Sequence, residues 1–177
     1  MAASIHDPNL IGVYAVGSED GLHFIAMEFV KGVSLHGLIE RQGKLPLGQA
    51  VDIAVRVASG LQAAWDRRGI VHCDIKPENI LIPEDGGVKI ADLGLAARLD
   101  ARPEQVDTLA QEYFAGSPYY VCPEVILGRP PDHRSDLYSL GACFFEMLTG
   151  RPPFEGTDAA EVAARHLYAT PPDPCEL

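Results

Sequence analysis

The sequence predicts an α+β fold in which strands come first and helices follow, as a single α+β arrangement or as two lobes. Three observations predict it: two β-type runs near the start, a strong hairpin signal in the middle, and a long helical pattern on each side of that hairpin. The chain has 177 residues, 47 % hydrophobic and 22 % charged, an ordinary globular balance. That length allows one domain with its own core, or a large piece of a bigger one.

Ile11 to Val16 and Leu22 to Val30 read as strands joined by the polar turn Gly17-Ser18-Glu19-Asp20-Gly21. Leu35 to Ile39 predicts a short helix. From Gln49 to Arg67 the apolar residues Ala50, Ile53, Ala54, Val57, Leu61, Ala64 and Trp65 recur at three- and four-residue steps, so this segment is an amphipathic helix. Gly69 follows where a left-handed cap would sit. Ile80-Leu81-Ile82 and Val88-Lys89-Ile90 flank Pro83-Glu84-Asp85-Gly86-Gly87, which predicts a hairpin. Leu99 to Phe114 is polar and irregular, a loop. Asp136 to Leu148 is apolar on most faces and reads as a buried helix, with Ser135 as its cap and Gly150 as its stop. Thr157 to Tyr168 is a shorter amphipathic helix, and the prolines of Thr170 to Pro174 allow no helix after it.

A formal net charge of −11 excludes most nucleic-acid partners, because phosphate backbones need a basic face. The four cysteines, Cys73, Cys122, Cys143 and Cys175, form no C-x-x-C pair and no zinc-like spacing with the histidines, so reduced thiols are expected. Met1 to Asp7 lacks a basic segment followed by an apolar run, and no apolar run approaches the ~18 residues that cross a bilayer. The visible chain is expected to be cytoplasmic, without a membrane segment.

The chemistry-bearing residues cluster around the hairpin. If Ile82 pairs with Val88, then Ile80 pairs with Ile90, and Asn79 lies opposite Ala91. That register brings Asn79 and Asp92 to the open end of the hairpin. An amide oxygen and a carboxylate are hard ligands of the kind Mg²⁺ takes, with phosphates and waters completing the shell. Asp74 reaches the same place from the preceding loop and can accept a hydroxyl proton, while Lys76 neutralises a transferring phosphoryl group. Singly, a His-x-Asp is usually structural and an Asp-x-Gly is usually a turn. Their joint spacing around one hairpin points to phosphoryl transfer to an alcohol.

His72-Cys73-Asp74-Ile75-Lys76-Pro77-Glu78-Asn79 resembles the catalytic loop of protein kinases. Asp92-Leu93-Gly94 resembles their magnesium-binding triplet, and Cys122-Pro123-Glu124 the end of their activation segment. Gly116-Ser117-Pro118-Tyr119-Tyr120 is similar to the loop that receives the substrate. Arg134 to Gly141 resembles the start of the helix that anchors the larger lobe, and Met27-Glu28-Phe29-Val30 the gatekeeper and hinge. The resemblance, to eukaryotic-like (Hanks-type) serine/threonine protein kinases, runs in order over nearly the whole chain. Thr149-Gly150-Arg151-Pro152-Pro153-Phe154 is similar in style to bacterial members.

The resemblance implies a protein-kinase-like two-lobe fold, mostly the helical large lobe with a partial small-lobe sheet. Residues 1–27 would be a remnant of the small lobe, 28–32 the hinge, and 33–177 the large lobe without its last helices. ATP and Mg²⁺ (or Mn²⁺) would be the cofactors, and a protein with serine or threonine acceptors the partner. Asp74 would be the catalytic base, Lys76 the γ-phosphate contact, and Asn79 and Asp92 the metal ligands. Met27, Glu28, Val30, Ser34 and Leu81 would line the nucleotide site, the adenine held by the backbone of Glu28 and Val30. Ser117 would lie in the substrate loop. Val13, His72 and Leu93 would stack as a spine, Asp136 would hold the catalytic loop, and Glu124 would close the activation segment.

Departures from the family pattern qualify these expectations. Cys73 replaces the arginine that pairs with a phosphorylated activation loop, which argues against a phospho-switch at Thr108. Leu93 and Cys122 replace phenylalanine and alanine, apolar or small swaps of little consequence. His6-Asp7-Pro8-Asn9-Leu10 resembles the segment after the small lobe's mobile helix, so the Gly-rich loop, the strand lysine and the helix glutamate have no counterpart here. The arginine that pairs with Glu124 is likewise missing, leaving that carboxylate without its family partner. A fragment truncated at both ends is therefore expected, its small-lobe strands showing unpaired edges, and unstable or inactive in isolation. Two other readings compete: a non-catalytic kinase-like interaction module, and a small-molecule phosphotransferase sharing the His-x-Asp…Asn…Asp skeleton. Retention of Asp74, Lys76, Asn79 and Asp92 argues against the first, and Lys76 with the Gly116 to Glu124 segment against the second.

Overall fold

The computed structural model describes residues 6–20, 22–92 and 118–177. The expected loop at 99–114, with Thr108, and the residues Leu93, Gly94 and Ser117 lie outside the described residues. Strand β1 (Val13–Glu19) pairs antiparallel with β2 (Leu22–Met27), from Val13↔Met27 to Glu19↔Leu22. The strands therefore run through Gly17, Ser18 and Glu19, which the sequence assigned to the turn. The reason is register: Glu19 already faces Leu22, so the reversal is tight, with Asp20 in the left-handed region at φ 51°. The hairpin forms a sheet of its own, with Tyr14, Val16, Leu22 and Phe24 all exposed.

A second antiparallel sheet carries the middle of the chain. Strand β3 (Gly32–Ser34) pairs with β4 (Ile80–Pro83), and β4 with β5 (Lys89–Ile90). Ile80 faces Ile90, as the apolar alternation predicts. The N-terminal segment adds to the far edge: Ile90 N–H donates to Asn9 O at 2.8 Å and Ile11 N–H to Ile90 O at 2.9 Å. Where this segment crosses helix α2, the helix carries Gly60. A Cβ there would stand 3.0 Å from Asn9 O, so the close approach depends on a residue without one.

Helix α1 (Leu35–Gln42) is capped by Ser34, whose Oγ accepts from Gly37 N–H. Helix α2 (Leu47–Arg68) starts after Pro46, two residues earlier than its apolar stripe shows, and stops at Gly69 (φ 62°, ψ 26°). Its face Ala50, Ile53, Val57, Leu61 and Ala64 is buried. Each of the larger side chains contributes about 1.5–3 kcal/mol of hydrophobic stabilisation. Trp65 sits at the rim of that face and stacks on His133, ring centroids 4.8 Å apart. After the short helix α3 (Pro123–Ile126), helix α4 (His133–Thr149) packs against α2 through Leu140, Cys143 and Met147, which join one core with Ile75, Ile80 and Ile90.

The N-cap of α4 is Asp132 rather than Ser135. Asp132 accepts from Arg134 N–H at 2.8 Å, and Ser135 Oγ takes Asp132 N–H in return, a capping box that begins the helix three residues earlier. Hydrogen bonds from Arg134 bring the Asp132 pKa down to about 2. Gly150 ends the helix in the left-handed region. Helix α5 (Ala159–Tyr168), capped by Asp158, then packs on α3 and on a 3-10 turn at Pro118–Tyr120. Among the described residues, no helix is long and apolar enough to cross a membrane.

Candidate active site

The loop between α2 and β4 is held from below by α4. Asp136, buried at the first turn of that helix, accepts His72 N–H through Oδ2 and Cys73 N–H through Oδ1, both at 2.8 Å. Burial pushes the Asp136 carboxyl above the usual carboxylate range, and the two N–H groups pull against that rise. Cys73, donating one of these bonds, adopts φ 66°, a conformation that costs a non-glycine residue about 1–2 kcal/mol. The strain is held where the loop delivers its next residue, Asp74.

His72 ties the same loop to the hairpin. Its ring is buried, with Nε2 2.9 Å from Ala91 O and Nδ1 3.2 Å from Asp74 N. A carbonyl can only accept and an N–H can only donate, so the ring is the neutral Nε2–H tautomer. Pro77 then opens a 3-10 turn, Pro77–Asn79, that swings Asn79 back toward Asp74. Asn79 Nδ2 donates to the Asp74 carbonyl at 2.8 Å and to its Oδ2 at 2.9 Å. Lys76 Nζ lies 2.8 Å from the same Oδ2, both side chains being mostly shielded. Ala91 N–H donates to Asn79 O at 2.8 Å, so Asp92 is the next residue beyond the paired end of the hairpin. Asp92 is exposed and holds φ 62°. Asp74, Lys76 and Asn79 thus form one hydrogen-bonded group, and Asp92 follows Ala91, which is itself bonded to Asn79.

The chain segment expected to bind adenine follows β2. Met27 ends that strand with 43 % of its surface exposed, and Glu28 N–H donates to Gly12 O at 2.7 Å. The Glu28 carboxylate is anchored twice, accepting from Gly12 N–H and from Lys89 Nζ, each at 3.1 Å. Burial alone would raise this carboxyl; the Gly12 N–H and the Lys89 ammonium outweigh it and hold the pKa below the usual range. Val30 is half-buried, and β3 carries the chain on to Ser34, which pairs with Leu81 across β3 and β4. Ser34 also caps α1, its hydroxyl oxygen accepting from Gly37 N–H. Val13 is half-buried and His72 fully so.

Glu124 has a serine hydroxyl as its partner. It is half-buried and not left without a partner, because Ser135 Oγ donates to its Oε1. The capping box that moved the helix start also turns Ser135 toward α3. Cys122 is buried, and burial pushes its thiol up to about 11. Three further features were not singled out from the sequence. Lys89 neutralises Glu28 from a strand whose alternation put it opposite the core. Glu146, near the end of the mostly apolar helix that also carries Asp136, accepts from the Tyr120 hydroxyl at 2.5 Å, and burial pushes its pKa up. A cleft of about 560 Å³ lies along Glu28 to Lys31 and Pro83 to Lys89, away from Asp74 and Asn79.

A loop pinned by a buried aspartate, a hairpin presenting an amide and a carboxylate, and a connecting segment leading into the same sheet define a protein kinase domain. The chain belongs to the protein kinase domain family, whose profile matches residues 1–171. It is 37 % identical over 171 residues to the serine/threonine-protein kinase PrkC of Bacillus subtilis, covering 97 % of this chain and 26 % of PrkC. A probable serine/threonine-protein kinase of Clostridium perfringens is 40 % identical over 173 residues, 96 % of this chain and 24 % of the relative. The serine/threonine-protein kinase PknB of Mycobacterium leprae is 35 % identical over 179 residues, 99 % of this chain and 28 % of PknB. The chain therefore spans about a quarter of the length of these curated relatives.

Proposed function

We propose that the chain carries the catalytic groups of a serine/threonine protein kinase, which transfers the γ-phosphate of ATP to a protein hydroxyl. The observation that carries this reading is the shared Asp74 carboxylate, held by Asn79 and Lys76 at the open end of the 80–90 hairpin. Similarity to bacterial kinases across nearly the whole chain supports it.

In this reading Asp74 accepts the proton of the attacking hydroxyl. Asn79 commits its amide nitrogen to Asp74, which leaves its oxygen as the atom that would hold a cation; with the exposed carboxylate of Asp92 it would make a hard-oxygen donor set that fits Mg²⁺ or Mn²⁺. A bound divalent cation supplies charge neutralisation on the phosphates. Lys76, resting on Asp74, is placed to follow the charge onto the γ-phosphate. Glu28 and Val30 offer backbone groups to adenine, with Met27, Ser34 and Leu81 around it. Ser117 belongs to the acceptor side, Glu124 closes the activation segment, and Leu93 completes a spine with Val13 and His72. A requirement for ATP puts the domain on the cytoplasmic side, and the net charge of −11 disfavours nucleic acid as a partner.

The metal part of this assignment has a direct test. Mn²⁺ binding in the presence of ATP, followed by electron paramagnetic resonance, is expected to weaken by about tenfold or more in Asp92→Asn, the loss of one charged ligand. Equal Mn²⁺ affinity in wild type and variant would remove Asp92 from the site and favour a non-catalytic module.

A further inference from the structure

Among the described residues, one buried side-chain polar atom has no hydrogen-bond partner: Nε2 of His166. His166 lies on the inner face of α5 with 5 % of its surface exposed. Its ring meets Phe154 edge-on, centroids 4.8 Å apart, and Tyr138 of α4 at 5.7 Å. Nδ1 is 2.7 Å from the Tyr138 hydroxyl, and α5 packs on the Pro118–Tyr120 turn, where the backbone of Tyr119 and Pro118 works against the fall of the His166 pKa.

The partners decide where the imidazole proton sits. Burial, with Cys122 and Glu124 nearby, pushes the Tyr138 phenol up to about 12, so it keeps its hydrogen. Burial also lowers the His166 pKa, so the ring is neutral. If Tyr138 donates to Nδ1, then Nε2 carries the hydrogen, which a carbonyl oxygen of the neighbouring turn can accept. The opposite tautomer would leave Nε2 a buried lone pair that a carbonyl cannot satisfy. The first arrangement is favoured. Among the described residues, α4 anchors the Pro118–Tyr120 turn by hydrogen bonds at Tyr120. Ser139 Oγ donates to the Tyr120 carbonyl at 2.7 Å, and the Tyr120 hydroxyl donates to Glu146 at 2.5 Å. Helix α5, which carries His166, packs on the same turn.

We propose that His166 is a positioning residue for the Pro118–Tyr120 turn: its Nε2–H, oriented by Tyr138, closes on a carbonyl of Pro118 or Tyr119 and sets the turn for the protein substrate. This rests on the kinase reading, in which that turn receives the acceptor. The positioning acts on acceptor binding and leaves the nucleotide side alone.

The test pairs kinetics with nitrogen NMR on the intact protein. In His166→Asn the amide nitrogen falls near Nδ1, whereas in His166→Gln it falls near Nε2 and restores the donor. KM for a protein substrate is expected to rise about tenfold in His166→Asn, the scale of one lost hydrogen bond, and to recover in His166→Gln. kcat and KM for ATP should stay near wild type in both. Histidine ¹⁵N shifts should show His166 protonated at Nε2, and Tyr138→Phe should mix the tautomers and move the Tyr119 and Tyr120 amide signals. Equal KM in the Asn and Gln variants, or protonation at Nδ1, overturns the proposal. If no Asp74-dependent phosphorylation is found at all, the kinase reading fails. The amide shifts in Tyr138→Phe then still decide whether His166 positions the turn.

Discussion

Replacing Asp74 by asparagine is expected to slow phosphoryl transfer by the intact protein by about 10²–10⁴-fold, the usual contribution of a positioned general base. Asparagine matches aspartate in shape and keeps an oxygen able to accept from Asn79 Nδ2 and Lys76 Nζ, now 2.9 and 2.8 Å from Oδ2. The loop should therefore stay in place while the proton acceptor is lost. Initial rates at saturating ATP, with thermal melts run alongside, separate these effects. A near-wild-type rate in Asp74→Asn would show that the proton goes elsewhere. Loss of folding together with rate would instead make Asp74 a structural residue.

The largest stability effect is expected at Asp136. Replacement by alanine strands two N–H groups, the buried one of His72 and the part-buried one of Cys73, and removes what holds Cys73 at φ 66°. Each stranded donor costs about 1–3 kcal/mol, so the substitution should destabilise the protein by about 3–5 kcal/mol. For a chain of this size that is a fall of roughly 10 °C or more in Tm. Asp136→Asn keeps one acceptor oxygen and should lose about half as much. Melting of Asp136→Ala within a degree or two of wild type would mean that the loop holds its shape without α4.

Where the sequence could be read, short-range patterning carried the information. The register of the 80–90 hairpin followed from two apolar runs around a Gly-containing turn, because a slip of one residue would expose Ile80 and Ile90 together. Gly69 and Gly150 marked helix stops because only glycine takes the left-handed cap at little cost. The meeting of Asn79 with Asp74 was legible for the same reason, being five residues apart and set by one turn. Contacts that depend on distant segments were not legible. Glu28 and Lys89 are 61 residues apart, Tyr120 and Glu146 are 26, and Tyr138 and His166 are 28. The start of α4 was misplaced because Asp132 and Ser135 both favour N-caps, and their reciprocal box decides which one serves. The turn of the first hairpin was drawn too wide, taking in Gly17 to Glu19, because polar residues projecting into solvent look like turn; the strands' expected outer ends, Ile11 and Val30, lie beyond the observed Val13 and Met27.

The central claim is that Asp74, Asn79 and Asp92 make one metal-dependent site for transfer to a protein hydroxyl. Phosphoamino-acid analysis tests it most directly, on a basic protein incubated with the intact protein, γ-labelled ATP and Mg²⁺. The predicted result is label on serine or threonine that requires the metal and disappears in Asp92→Asn. Label on tyrosine, label without a divalent cation, or undiminished label in Asp92→Asn would contradict it.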